Sequence, residues 1–464
     1  MLRSTNPEFD ELRGRLDAIP VVDAHNHWCG VCERDEKLDI LGFIATGDYY
    51  LSDLASASDD FPSRPRQPGI FALSPLVEFV ADRKRSFDER YDAWFPYHQR
   101  TTHTAYARAA FEGMKVCWGM KDVSKRSLLQ TQERMRAERD QSFCDRALAA
   151  FGIRAMVANV GICEAMSGAL PYRDVCRFVF GLPDYHDLST ECAVRKPHLE
   201  RALGRKIVTL DDYLEAFERF LKEAIAFGIV GMKDQTAYRR DIGYGNPARA
   251  SAEAMFNRIM AQPRDTFGTS ETRDLDDFLF HQFMRLAARF DLPVQIHTGH
   301  MAGIRNEILK TNPANLTGIL ELHQDVTFDL FHGGWPFIGE FLFLGKNYPN
   351  VMLDMCWANL IDPLYSIELL QRAVVTIPHS KMSGFGGDTS GPERTVGYLV
   401  LARDNIACAL SELINRGWLS MDDSLDIARA WLFDNPNRIF KLRLDGDRLR
   451  GIDPVATGQV QERQ

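Results

Sequence analysis

Residues 21–28, Val21-Val22-Asp23-Ala24-His25-Asn26-His27-Trp28, decide how the rest of the chain is read. A short apolar run ends in two histidines two positions apart, and side chains two apart on a strand share a face. Both imidazoles can therefore reach one ion from a strand end. The spacing alone is weak, because 12 His in 464 residues give roughly 0.3 such pairs by chance. Position along the chain supplies what the spacing lacks.

Working outward, eight short apolar runs alternate with helical patterns: Val21–His25, Ile153–Ala158, Cys176–Phe180, Ile229–Lys233, Pro293–His297, Thr327–His332, Val351–Asp354 and Lys381–Asp388. That alternation is the mark of βαβ units and a parallel sheet. Eight of them predict an α/β protein, a (β/α)8 TIM barrel forming one domain over residues 1–464. The interval after the first run is too long for a simple connection. It contains helical patterns such as SKRSLLQTQERMRAERDQSFCDRALAAF, so residues 28–150 are expected to be a large, mainly helical insertion over the barrel mouth. A polar loop rich in Arg and Gly after Asp234 precedes the amphipathic DDFLFHQFMRLAARF, and two helical patterns follow Asp388. Residues 453–464 read as a polar tail.

In QIHTGH, TFDLFHGG and MSGFGGDTS, the runs place His297, His332 and Asp388 at the ends of the fifth, sixth and eighth expected strands. Parallel barrel strands present their C-terminal ends to one mouth, so these residues are expected to converge with His25 and His27. Lys233 ends the fourth run. Tyr238 and Arg239 in GMKDQTAYRR, with Arg305 in HMAGIRN, offer donors for a carboxylate-bearing substrate. Trp28, His300 and Trp335 adjoin these motifs and are candidates to line the pocket. The GFGG before Asp388 lets the backbone turn tightly, and Cys29 and Cys32, with no second pair, are not read as a metal site.

Taken together, these motifs resemble the amidohydrolase superfamily, whose pattern is HxH after strand one, His after strands five and six, and Asp after strand eight. The resemblance implies a divalent metal held by His25, His27, His297 and Asp388. It makes His332 a second-metal ligand or the group that polarises substrate. Lys233 is either a carboxylated lysine bridging two metals or a contact to a substrate carboxylate. The segments GMKDQTAYRR, QIHTGH and HGGWPFIGEF are similar to amidohydrolase relatives fused to or encoded beside glutamine-synthetase-like enzymes. The insertion, with TGDYYLSDL and DAWFPYHQRTTHTAYARAAFEGM, looks like the elaborated first loop of uronate isomerases of the same superfamily. Against that second likeness, GGDTSGPER lacks the arginine directly after Asp388 that those isomerases carry.

Composition bounds the reading. Hydrophobic residues at 45% and charged residues at 26% suit a globular chain with a large core. A net charge of -9 argues against nucleic-acid binding, so a small-molecule substrate bearing a carboxylate is expected. Nine scattered cysteines imply no disulfide framework. No secretory signal and no apolar run of membrane-spanning length are visible, and a cytoplasmic homo-oligomer is expected.

The expected chemistry is hydrolysis of an amide or related C–N or C–O bond by a metal-activated water, with Asp388 moving the proton and His332 steadying the developing oxyanion. Aldose–ketose isomerisation of a sugar acid and metal-dependent non-oxidative decarboxylation are the alternatives. Zinc is the first expectation for the metal, with Mn, Fe or Ni compatible. One ion is favoured, and two are required if Lys233 bridges.

Overall fold

The computed structural model describes residues 4–46, 49–58, 74–303 and 306–445. The expected tail at 453–464 and Arg305 lie outside the described residues. Eight strands, β1 (Val21–Asn26), β2 (Ile153–Ala158), β3 (Cys176–Gly181), β4 (Ile229–Asp234), β5 (Val294–Ile296), β6 (Phe328–Leu330), β7 (Val351–Asp354) and β8 (Met382–Ser383), form one sheet in sequence order. This is the (β/α)8 barrel. Pairing from β3 through β7 is parallel, with Met232 opposite Val294, Val294 opposite Phe328, and Phe328 opposite Val351. Every residue of β5, β6 and β7 is buried, as expected of strands covered on both faces.

By internal contacts the chain divides into two compact units. The first comprises residues 1–156, 300–307 and 355–435, and the second comprises 157–299, 308–354 and 436–464.

Within the first unit, the run after β8 lies along β1. The Ala24 N–H donates to the Phe385 C=O at 3.0 Å, the Asp388 N–H to the His25 C=O at 2.9 Å, and the His27 N–H to the Thr389 C=O at 3.0 Å. The eighth expected run, Lys381–Asp388, yields only two residues of regular strand, and the glycines that follow lie too close to their surroundings for side chains. A Cβ on Gly386 would sit 2.7 Å from the Cys356 Cβ, and one on Gly387 would sit 3.0 Å from the Asn26 side chain. The fifth and sixth strands are also shorter than their runs, yet the His297 N–H still donates to the Asp234 C=O and the Phe331 N–H to the Ile296 C=O.

The interval between β1 and β2 is helical among the described residues: α2 (Ile40–Thr46), α3 (Tyr50–Ala57), α4 (Pro75–Ala81), α5 (Phe87–Thr101), α6 (Ala105–Trp118), α7 (Lys125–Glu138) and α8 (Gln141–Ala150), after α1 (Pro7–Leu16) at the start of the chain. Each helix from α4 to α8 opens on a side-chain cap, from Ser74, Ser86, Thr104, Ser124 and Asp140 respectively. Such a cap contributes about 1 kcal/mol. Leu41, Leu54, Val77, Trp94, Met114, Trp118 and Leu128 give the insertion a core of its own. Helix α6 crosses the long helix Pro392–Asn415 at two glycines: a Cβ on Gly113 would collide with the Glu393 C=O and one on Gly397 with the Ala109 C=O. The crossing thus requires backbone-to-backbone approach.

In the second unit, the segment after β4 contains a helix not expected from the sequence, Arg249–Ala261, before the expected one, Thr269–Arg289. No helix among the described residues is long and apolar enough to cross a membrane.

Candidate metal centre

In the first unit the structure brings together three of the four expected ligands. His25, His27 and Asp388 each offer a ligand atom, and these atoms lie within 4.8 Å of one another. The Asp388 Oδ1 is 3.0 Å from His27 Nε2 and 3.7 Å from His25 Nε2. The two imidazoles stand edge to face, with centroids 5.1 Å apart. His25 is sealed in the core, whereas the His27 side chain is 48% exposed, so the cluster is closed on one side and open on the other. Two neutral nitrogens and a carboxylate oxygen in an open arrangement fit a divalent ion that keeps a position for substrate or water.

The backbone explains how residues some 360 positions apart meet. Asp388 sits at a left-handed φ of 48° and is pinned by its N–H to the His25 C=O. Beneath it, the buried Asp23 carboxylate accepts from the Gly387 N–H at 2.8 Å, the Asn26 side-chain amide at 2.6 Å and the His25 N–H at 3.3 Å. Burial pushes Asp23 up to about 7 despite those donors. The Asn26 side-chain oxygen in turn accepts from the His27 N–H. Asp23 therefore ties both ligand-bearing segments to one carboxylate, a supporting role of the kind that orients metal ligands. From the insertion, the Tyr49 hydroxyl donates to the Asp388 C=O at 2.5 Å, and its ring stacks on Trp357 at 4.2 Å. His300 lies 4.9 Å from Trp357, and burial lowers its pKa to about 4. Trp28 is buried and donates to the Val31 C=O.

The second unit holds His297, His332, Lys233, Tyr238, Arg239 and Trp335. His297 and His332 are buried, with His332 Nε2 3.0 Å from His297 Nδ1. One nitrogen must donate and the other accept. If His297 is to keep an unprotonated Nε2, its Nδ1 must carry the proton and donate to His332, which occupies the Nε2 of His332. In this arrangement His332 acts as the partner that sets the His297 tautomer.

Lys233 is buried with its ammonium 3.6 Å over the Phe331 ring. Nearby, burial raises Asp329 to about 7 against the opposing pull of Gln295 and Lys233. The Tyr238 ring meets His297 edge-on at 4.9 Å. Trp335 is half-buried and begins a cis bond to Pro336.

Arg239, expected to meet a substrate carboxylate, instead turns to the protein's own acids, pairing with Asp187 and lying 3.8 Å from Asp184. Its neighbour Arg240, not singled out from the sequence, is buried and donates to Asp276 at 2.7 Å and Asp277 at 2.5 Å. The same Asp276 holds His186 at 2.5 Å, and the other face of His186 is 3.4 Å from Asp234. Burial opposes the charge on His186, but Asp276 and Asp234 outweigh it and raise its pKa to about 9. No spacing signal marks this network, because its members lie on three separate elements and a loop.

Residues 215–442 match the family model described as Amidohydrolase. The chain is 25% identical over 245 residues, half of its length, to the protein fluG of Emericella nidulans, and spans 28% of that relative. Among solved structures it resembles a uronate isomerase from Thermotoga maritima, with a TM-score of 0.71, 15% identity, and coverage of 94% of this chain and 98% of that one. It also resembles a protein described as a metal-dependent hydrolase from Lactobacillus casei, with a TM-score of 0.61, 14% identity, and coverage of 93% and 97%. Residues 215–442 thus carry the amidohydrolase match, and over the whole chain the likeness to the two solved structures is one of fold.

Proposed function

We propose that the protein is a metal-dependent hydrolase that cleaves an amide or related C–N or C–O bond of a small carboxylate-bearing substrate. The observation that carries this reading is the open cluster of His25, His27 and Asp388. The ligand set is His25, His27, His297 and Asp388. His297 joins it by its place directly after β5 and by the family pattern. These residues would hold a divalent ion, zinc first, which when bound would supply Lewis acidity and bring water towards ionisation near neutral pH.

The remaining steps belong to the chain. Asp388 takes the proton of the attacking water and returns it to the leaving group. Its backbone is held by the His25 C=O and by the Tyr49 hydroxyl, so the carboxylate is presented at a fixed angle. His332 fixes the tautomer of His297. Lys233, neighbour to Asp329, supplies positive charge for a substrate carboxylate.

A uronate-isomerase-like reaction is the second reading, favoured by the helical insertion and by the resemblance to the Thermotoga maritima uronate isomerase. A substrate screen on metal-loaded protein, offering carboxylate-bearing amides, uronates and aromatic acids, decides between them. Release of amine or alcohol from the first group, abolished by chelation and by Asp388→Asn, is expected. Conversion of uronates without hydrolysis would replace the hydrolase reading with the isomerase one.

A further inference from the structure

In the second unit Arg239 lies against Asp187. The first unit contains a cavity of about 530 Å³. That size lies within the range of small-molecule sites. Its wall is built by the segments that leave the metal ligands: Trp28 follows His27, and Ser390 and Gly391 follow Asp388 by two and three residues.

Three guanidinium groups line this cavity, those of Arg83, Arg139 and Arg394, in a protein whose net charge is -9. Two of them are preorganised around Phe43. The Arg394 carbon lies 4.6 Å and the Arg139 carbon 5.6 Å from the ring centre. Arg394 is held by the Phe43 C=O at 2.9 Å and the Ser390 C=O at 3.2 Å. Arg139 is held by the buried Glu393 at 2.9 Å and 3.3 Å. Of the acids in the wall, Asp39 is already bound by both terminal nitrogens of Arg90, at 2.6 Å and 2.9 Å. Asp35 is exposed and accepts from the Lys37 N–H. The helix Pro392–Asn415 starts at the same wall, with Gly391 providing no side-chain cap. Its N-terminal amides add positive potential for an anion.

We propose that this cavity binds the carboxylate of the substrate, with Arg394, held by the two backbone carbonyls, as the donor, Phe43 as the flat surface beside it, and Arg139, neutralised by Glu393, as part of the wall. The proposal rests on the hydrolase reading in calling the ligand a substrate. Guanidinium groups held in place lose little freedom on binding and match a carboxylate with paired donors. The cavity therefore selects acids over their neutral amides.

The test is calorimetric titration of glutarate and benzoate, with glutaramide and benzamide as neutral counterparts, into full-length protein with and without Zn. The metal-free titration reads the arginines alone, so it stands apart from whether the protein is a hydrolase. We expect the acids to bind metal-free wild type and the amides not to. Arg394→Ala should weaken acid binding about tenfold or more. Arg394→Lys, which keeps the charge, should weaken it less, and Arg83→Ala provides a second reading at an exposed position. Arg205→Ala, far from the cavity in sequence and paired with Asp212, should change nothing. Equal binding of acids by wild type and Arg394→Ala, binding only when Zn is present, or weakening by Arg239→Ala alone would each overturn the assignment.

Discussion

The two compact units carry similar residue types and use them differently. In the first, His25, His27 and Asp388 form a cluster with one exposed imidazole, beside a cavity lined by arginines. In the second, His186, Asp234, Arg240, Asp276 and Asp277 are all buried, and each charge faces an opposite one. A histidine and a carboxylate at hydrogen-bond distance occur in both places. Exposure separates them: an open cluster can exchange water and ligand, whereas a sealed and compensated one holds the backbone in place.

The sharpest way to break this contrast is to change one carboxylate on each side. Asp388→Asn should lower turnover on the substrate identified by the screen about a thousandfold, with little change in melting temperature. Asp276→Ala should do the reverse. It takes one of two carboxylates from each of the buried Arg240 and His186, so chemical denaturation should show a loss of about 3 kcal/mol while bound metal per folded chain stays constant.

The pH dependence sharpens the same point. His186 has its folded pKa raised to about 9 from an ordinary value near 6.5, so its contribution is fully present below 6.5 and is lost as pH rises through 9. Melting temperature measured from pH 6.5 to 9.5 should therefore fall more steeply in wild type than in His186→Gln. Parallel profiles would remove the charged-histidine account. Tyr49→Phe, which deletes the donor to the Asp388 C=O, should cost about 1 kcal/mol and weaken metal retention a few fold, read by competition with a chelator. The smallest effect is expected for Arg239→Ala, whose exposed pair with Asp187 should contribute within about 0.5 kcal/mol.

Much of the fold was legible because each strand is a short apolar run set between helical patterns. β2 and β7 match their expected bounds, and β5, β6 and β8 are shorter. Beyond β8, Gly386 and Gly387 are packed too closely for any side chain, a tertiary constraint that period-two patterning cannot report. The cluster of His25, His27 and Asp388 was legible from strand ends. Asp23 was not, although it lies in the same motif, because its role depends on the amides of Gly387 and Asn26 meeting it in the fold. Arg239 was singled out and its buried neighbour Arg240 was not, for a similar reason: a polar arginine-rich loop does not reveal which guanidinium is turned inwards. The arginine cavity draws on residues 83, 139 and 394, whose proximity no local pattern encodes.

Elemental analysis of purified wild type beside His27→Ala, Asp388→Asn and Lys233→Ala tests the central claim most directly. The account predicts about one divalent ion per chain in wild type, lost or sharply reduced in the first two variants and retained in Lys233→Ala. No bound metal in wild type after incubation with Zn, Mn, Fe and Ni, or undiminished metal in both His27→Ala and Asp388→Asn, would contradict it.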